Sequence, residues 1–244
     1  MPEVIVALDF QEPDDAFDLV ERLPPGTWYK VGLELFTRAG PPVVERLVGE
    51  GRHVFLDLKL HDIPNTVAGA VRSVARLGAE LLTIHGAGGE AMLRTAVAAA
   101  AESAAAGPFG RHVRPLRLLA ITVLTSLDDA ALAAVMGSGA GVEETAGRLA
   151  GLARESGVDG AVCSVNEARA VRLACGADFL VVTPGIRLAG ESGDDQRRVA
   201  TPAVASAAGA DFLVVGRPIT RTADPAAALA RIREAVDSGV DPGA

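Results

Sequence analysis

Eight short β-rich runs alternate with longer Ala-, Leu- and Arg-rich stretches, a pattern that predicts an α/β fold built on a parallel sheet. Eight such repeats in 244 residues predict the closed form of that sheet, a (β/α)8 TIM barrel, for which about 250 residues is typical. The open doubly wound sheet is the competing arrangement. No Gly-x-Gly-x-x-Gly follows the first run, so the dinucleotide-binding version of that alternative loses its main support.

In chain order, Val4–Leu8 is the first strand and runs into Asp9; Asp14–Leu23 is the helix behind it. Trp28–Leu33 and Val54–Leu58 are the second and third strands. Pro64 and Asn65 suit the start of the helix Thr66–Leu77, because proline lacks an N–H that a first helical turn would leave unpaired. Leu81–Ile84 and the helix Glu90–Glu102 follow, and the alanine-rich stretch Ala98–Ala106 reads as helix rather than linker on propensity. The strands Leu118–Val123, Gly160–Ser164, Phe179–Thr183 and Phe212–Val215 complete the set, with helices at Glu143–Glu155, Asn166–Ala174, near Thr201, and at Pro225–Val236. Residues 1–237 therefore read as one barrel domain, and Ser238–Ala244, with two glycines and a proline, as a flexible tail.

A hydrophobic content of 49% supports a large core, and a formal charge of -8 argues against a general nucleic-acid binder. An anionic small molecule would need a local basic pocket instead. Cys163 and Cys175 have neither CxxC nor zinc-finger spacing, which fits a reducing cytoplasm. No apolar run approaches the roughly 18 residues of a membrane span, and Met1-Pro2-Glu3 lacks the basic start of a signal peptide, so no membrane association is expected.

The run Asp57-Leu58-Lys59-Leu60-His61-Asp62-Ile63-Pro64-Asn65-Thr66 carries the most chemistry. Strand alternation puts Asp57 and Lys59 on one face with Phe55, and Val54, Leu56 and Leu58 on the other. Asp62 falls past the strand, in the turn to the next helix. A salt-bridged surface terminus is the ordinary explanation of an Asp-x-Lys pair, but other strands end in comparable groups. Asp9 ends the first, Lys30 shares a face of the second with Gly32, His85 ends the fourth, and Thr125-Ser126 follow the fifth. Barrel active sites lie at the carboxyl ends of the strands, where these residues converge.

The seventh strand ends in Thr183-Pro184-Gly185-Ile186-Arg187 and the eighth in Gly216-Arg217-Pro218-Ile219. Phosphate sites in such barrels are often built from these two loops; glycine allows close backbone approach and arginine offers a planar fork. The polar stretch from Arg187 to Arg198 is long by the usual standard of about 2–6 residues, and reads as a lid in which Gln196 could close on a phosphate. His61 and His85 could be imagined as metal ligands with Asp57, but the Lys59 ammonium would compete for that carboxylate and repel a cation. No metal is expected. His85 reads as a lining residue, His53 and His112 as surface residues, and Cys163 as buried core.

Together these residues resemble the orotidine 5′-phosphate decarboxylase family, in its bacterial-type single-domain form. The resemblance rests on Val6-Ala7-Leu8-Asp9, Lys30-Val31-Gly32, the 57–66 run, Thr122-Val123-Leu124-Thr125-Ser126, Pro184-Gly185-Ile186-Arg187, Asp195-Gln196 and Gly216-Arg217-Pro218-Ile219. It implies decarboxylation of orotidine 5′-phosphate to UMP without cofactor or metal. Lys59 would stabilise and protonate the C6 carbanion, with Asp57 and Asp62 holding and orienting its ammonium. At an effective dielectric near 20, unit charges 4 Å apart attract by about 4 kcal/mol before desolvation. Lys30 and Asp9 would hold the ribose hydroxyls, Thr125 the pyrimidine, and Gln196, Gly216, Arg217 and Arg187 the phosphate. The resemblance also implies a homodimer, with Asp62 and Thr66 contributed across the interface. Two alternatives stay open on the sequence. Magnesium-dependent sugar-phosphate decarboxylases and aldolases of the same superfamily share Asp-x-Lys-x-x-Asp but look for a glutamate where Lys30 stands and lack Ile63-Pro64-Asn65-Thr66; a non-catalytic nucleotide-binding barrel would be signalled by loss of Lys59 or Asp57, and both are present.

Overall fold

The computed structural model describes residues 1–105, 115–137, 139–188 and 198–241. The chain runs through β1 (Glu3–Leu8), α1 (Pro13–Glu21), β2 (Trp28–Gly32), α2 (Leu33–Ala39), α3 (Pro41–Gly49), β3 (His53–Leu60), α4 (Pro64–Leu77) and β4 (Leu81–His85). A single 3-10 turn, Gly86–Gly88, leads to α5 (Gly89–Ala105), β5 (Arg117–Ile121), α6 (Asp129–Met136), α7 (Val142–Glu155), β6 (Gly160–Val162) and α8 (Val165–Cys175). Then come β7 (Leu180–Thr183), α9 (Pro202–Ala207), β8 (Phe212–Val215), α10 (Arg217–Thr220) and α11 (Pro225–Ser238). The strands pair in parallel and in sequence order, and β8 closes on β1, so the fold is the expected (β/α)8 TIM barrel.

Every strand read from the sequence is present, and the differences are at ends and in short helices. Leu33, read as the end of a strand, opens α2 instead, with extended Gly32 as its N-cap. Between β2 and β3 the chain forms two short helices divided at Gly40, whose φ of 66° lies in the region that favours glycine. Helices α2, α3, α6 and α10, none longer than nine residues, lie outside the helices read from the sequence. At the far end Ser238 is still helical, Gly239 ends α11, and the Asp241 carboxylate accepts the Ala203 N–H at 3.1 Å.

Strand alternation divides the core in two. Outward side chains such as Val4, Val6, Val31, Val54 and Leu56 pack beneath the helices. Inward side chains, Ile5, Ala7, Trp28, Phe55, Leu81, Leu119, Val182, Phe212 and Val214, fill the barrel itself. At its amino-terminal end Trp28 stacks on His53 with ring centroids 4.7 Å apart and meets Phe212 edge-on at 5.2 Å. His53 Nδ1 lies 2.7 Å from Glu80 Oε1. His53 is thus half-buried rather than a surface residue, because it begins β3 on the same inward face as Phe55. His112 lies outside the described residues.

The apolar filling leaves no spare room at β6. A Cβ on Gly160 would lie 2.5 Å from both the Leu180 Cβ and the Leu180 carbonyl oxygen and 2.9 Å from Leu119 Cδ2. Two of those three neighbours are fixed close to the backbone of β7 and cannot rotate away. Gly160→Ala should therefore cost about 1–3 kcal/mol by overpacking. Thermal unfolding should show a Tm lower by roughly 2–4 °C per kcal/mol for a chain of this size. An unchanged Tm would mean that β7 can shift freely.

Candidate active site

At the carboxyl ends of the strands the inward face changes from apolar to charged. A cavity of about 260 Å³ opens there, floored by Ala7, Phe55, Ile121, Val162 and Val214. Its walls bring together Asp9, Lys30, Asp57, Lys59, Thr125, Arg187, Gly216 and Arg217, residues drawn from six different strand ends or the loops after them. No helix among the described residues is long and apolar enough to cross a membrane.

Four of these side chains form a row of alternating charge. Lys30 Nζ lies 2.9 Å from Asp9 Oδ1 and 3.9 Å from Asp57 Oδ2, and Lys59 Nζ donates to Asp57 Oδ2 at 2.7 Å. The side chains of Lys30 and Asp57 are only 11% and 12% exposed, so each depends on its neighbours for compensation. Register explains the order: Lys30 pairs with Ala7 of β1 and Phe55 of β3, and Gly32 pairs with Asp57. Gly32 also clears the path of Lys30, since a Cβ there would lie 2.8 Å from Lys30 Nζ and 3.3 Å from Asp9 Oδ1.

The pairing of β3 with β4 is irregular at this point. Leu56 faces Leu82 and Leu60 faces Ile84, so three residues of β3 lie opposite Thr83 alone. Lys59 takes up the excess with a φ of 51°, the one positive φ of a non-glycine among the described residues. Such a conformation is disfavoured for a lysine and needs support from its surroundings. Thr83, fully buried, supplies some: its Oγ1 accepts the Lys59 N–H at 2.8 Å and donates to Asp57 Oδ1 at 2.9 Å.

The arginines come from the loops after β7 and β8. Arg187 is buried, and its Nη1 donates to the Ile186 carbonyl at 2.8 Å. Gly185 precedes it with a φ of 81°. Gly216 precedes Arg217, the first residue of α10; a Cβ there would meet only Ala7 Cβ and Asp9 Oδ2, each at 3.7 Å. The base of the loop after β7 is closed by Arg187 N–H to Ala200 O at 2.9 Å and Ala200 N–H to Gly185 O at 3.1 Å. Arg198, counted from the sequence as part of the polar lid, is an anchor instead. It donates to Glu167 Oε1 at 2.6 Å and to the Leu124 carbonyl at 2.9 Å, while Glu167 Oε2 accepts the Ser164 N–H that begins α8.

Two residues expected at the site, Asp62 and Thr66, are not brought into this cavity. Asp62 is exposed in the turn after β3, where its Oδ1 accepts the Ile63 N–H at 2.7 Å, and it makes no ion pair with Lys59. The turn leaves it exposed although it lies only three positions past the lysine. Thr66 is exposed in the first turn of α4. Gln196, and with it most of the proposed lid, lies outside the described residues. Thr83 and the Arg198–Glu167 pair went unread in the sequence; a threonine inside Leu-Leu-Thr-Ile-His, on the same face as His85, was the available signal for the first.

His85 lies at the edge of the site with His61 stacked on it, ring centroids 5.0 Å apart. Burial above all, then His61 and Lys59, push the His85 imidazole below its usual value, with Asp57 opposing; it is neutral at pH 7. Among the described residues no group of three or more His, Cys, Asp or Glu side chains is placed to hold a metal ion. Cys163 is buried under the cavity, and burial pushes its thiol up to about 12, so it is no nucleophile.

Comparison with known proteins finds relatives over nearly the whole chain. The profile of the "Orotidine 5'-phosphate decarboxylase / HUMPS family" matches residues 2–232. The orotidine 5′-phosphate decarboxylase of Moorella thermoacetica is 51% identical over 236 residues, 96% of this chain and 92% of its own. That of Halorhodospira halophila is 53% identical over 232 residues, 95% of this chain and 94% of its own. The crystal structure of the Lactobacillus acidophilus orotidine 5′-phosphate decarboxylase superposes with a TM-score of 0.85 at 37% identity, covering 97% of this chain and 100% of that one. With its barrel, its charged strand ends and these relatives in agreement, the chain belongs to the orotidine 5′-phosphate decarboxylase / HUMPS family.

Proposed function

We propose that this chain decarboxylates orotidine 5′-phosphate to UMP, in the cytoplasm, with residues 1–237 as its catalytic domain and no metal or cofactor. The row Asp9–Lys30–Asp57–Lys59 carries this reading, because it ends in an ammonium fixed by a 2.7 Å contact and facing the cavity. Loss of CO2 leaves the electron pair of the broken bond on pyrimidine C6, in an orbital orthogonal to the ring π system. The ring offers that pair no conventional sink. Lys59 Nζ stabilises it as charge develops and then transfers one proton to C6, giving UMP and a neutral amine that solvent reprotonates. Preorganised charge of this kind supplies much of the rate acceleration in many enzymes.

The remaining cavity residues suit the rest of the nucleotide. Lys30 and Asp9 hold the ribose hydroxyls, Thr125 the pyrimidine, and Gly216, Arg217 and Arg187, with Gln196 from the loop after β7, the phosphate. Lys30, already shared between two carboxylates, favours this reading over the magnesium-dependent sugar-phosphate relatives, since an ammonium there repels a divalent cation. We further infer a homodimer in which Asp62 and Thr66 complete the neighbouring site. Their exposure supports it, as does Ile63 between them, an apolar side chain 68% exposed.

Purified protein should consume orotidine 5′-phosphate, followed by ultraviolet absorbance, at the same rate with and without a chelator. Inhibition that magnesium or zinc reverses would favour the metal-dependent relatives, and no consumption at all would remove the decarboxylase reading.

Arg217→Ala should weaken binding of the nucleotide by roughly 1.5–3 kcal/mol, the worth of a charge-assisted contact. The phosphate-free nucleoside should lose much less. Equal losses for both would place Arg217 outside the phosphate site.

Shared sites make a distinctive prediction. Lys59→Ala and Asp62→Ala proteins should each be nearly inactive alone, the former still binding substrate analogues. After subunit exchange a heterodimer holds both defects in one site and leaves the other intact. Equal mixing makes about half the dimers heterodimers, so roughly a quarter of wild-type activity should return. No recovery, with exchange verified by mass spectrometry, would assign Asp62 to its own barrel.

A further inference from the structure

We propose that Thr83 is the positioning residue of the charge row: its single hydroxyl fixes the plane of the Asp57 carboxylate and holds Lys59 in its left-handed backbone conformation. The inference deepens the decarboxylase reading and rests on it for the consequence in turnover. A hydroxyl has one proton to give and two lone pairs. Thr83 Oγ1 accepts the Lys59 N–H at 2.8 Å, and because an ionised Asp57 can only accept, the hydroxyl proton must point to Asp57 Oδ1, 2.9 Å away. One carboxylate oxygen is thereby assigned to Thr83. The other, Oδ2, is turned toward Lys59 Nζ at 2.7 Å and Lys30 Nζ at 3.9 Å.

The same atom serves the backbone. Where three residues of β3 lie opposite Thr83 alone, the regular ladder is interrupted, and the Lys59 N–H finds the Thr83 side chain instead of a carbonyl. A lysine at φ 51° held in this way sends its side chain into the cavity, and its Nζ can meet Asp57 from above. Thr83 is 0% exposed and does not line the cavity, so it acts through Asp57 and Lys59 rather than on the substrate.

The test compares Thr83→Val, which keeps the shape and removes the hydroxyl, with Thr83→Ser, which keeps the hydroxyl, in the full-length protein. For Thr83→Val, kcat should fall by about 10- to 100-fold, the scale of a small misplacement of a reacting group, while KM stays within about threefold of wild type. Thr83→Ser should retain most of wild-type kcat. An unchanged kcat in Thr83→Val, a change confined to KM, or an equal loss in Thr83→Ser would overturn the inference. If Thr83→Val does not fold, Thr83→Cys replaces it: the thiol is a weaker donor and acceptor, so kcat should fall below that of Thr83→Ser, and equality with wild type would overturn the proposal. If wild-type protein shows no turnover, the decarboxylase reading fails by itself. Crystal structures of wild type and the hydroxyl-free variant then decide the positioning role: a rotated Asp57 carboxylate or a shifted Lys59 backbone supports it, and an unchanged pair overturns it.

Discussion

Two ammonium groups and two carboxylates can share the mouth of an apolar barrel only if they alternate. At an effective dielectric near 20, two like charges 4 Å apart repel by about 4 kcal/mol, and opposite charges gain as much. In this structure Lys30 lies between Asp9 and Asp57, and Asp57 lies between Lys30 and Lys59. Neighbours in the row are opposite in sign. The barrel achieves this by taking one charge from β1, one from β2 and two from β3, all on inward positions of adjacent strands. Small residues make the space: Ala7 pairs with Lys30, and Gly32 keeps a side chain out of its path.

The parts of this arrangement that depend on periodicity were legible in the sequence. Alternation alone puts Phe55, Asp57 and Lys59 on one face, and Val54 and Leu56 on the other, where both are found. The parts that depend on a relation between two strands were not. A single strand's sequence does not say that Leu56 and Leu60 will face Leu82 and Ile84, so neither the left-handed Lys59 nor its contact with Thr83 could be read from β3. His53 follows the same logic, since its burial comes from Trp28 on the neighbouring strand and Glu80 before β4. Asp62 shows the limit of counting residues. Three positions past Lys59 places it close in sequence, but the turn leaves it exposed and bonded to the next N–H.

The rim after β7 is organised by different means. There the loop after β7 is closed by backbone hydrogen bonds between 185–187 and Ala200, and Arg198 ties it to α8 and to the segment after β5. Glu167 links the two functions, capping α8 with one oxygen and holding Arg198 with the other. Arg187 is therefore presented from a braced loop, and Arg217 from the start of α10, beside the β1 end of the charge row. A ligand held at both ends has its orientation set by the barrel rather than by any one side chain.

The division of labour between the charge row and the arginines matters for the proposed reaction. In that reaction a substrate carboxylate placed beside Lys59 would also be placed near Asp57, and the two anions would repel. On the proposed function, Arg187 and Arg217 would supply binding at the phosphate without touching C6. Asp57 cannot relieve the repulsion by turning aside, because one of its oxygens is tied to Thr83 and the other to Lys59. Departure of CO2 removes the substrate's negative group from Asp57 and leaves the new charge on C6 facing the ammonium. On this proposal the same fixed row would be poorly matched to the bound substrate and well matched to the carbanion, which is the difference that accelerates a reaction.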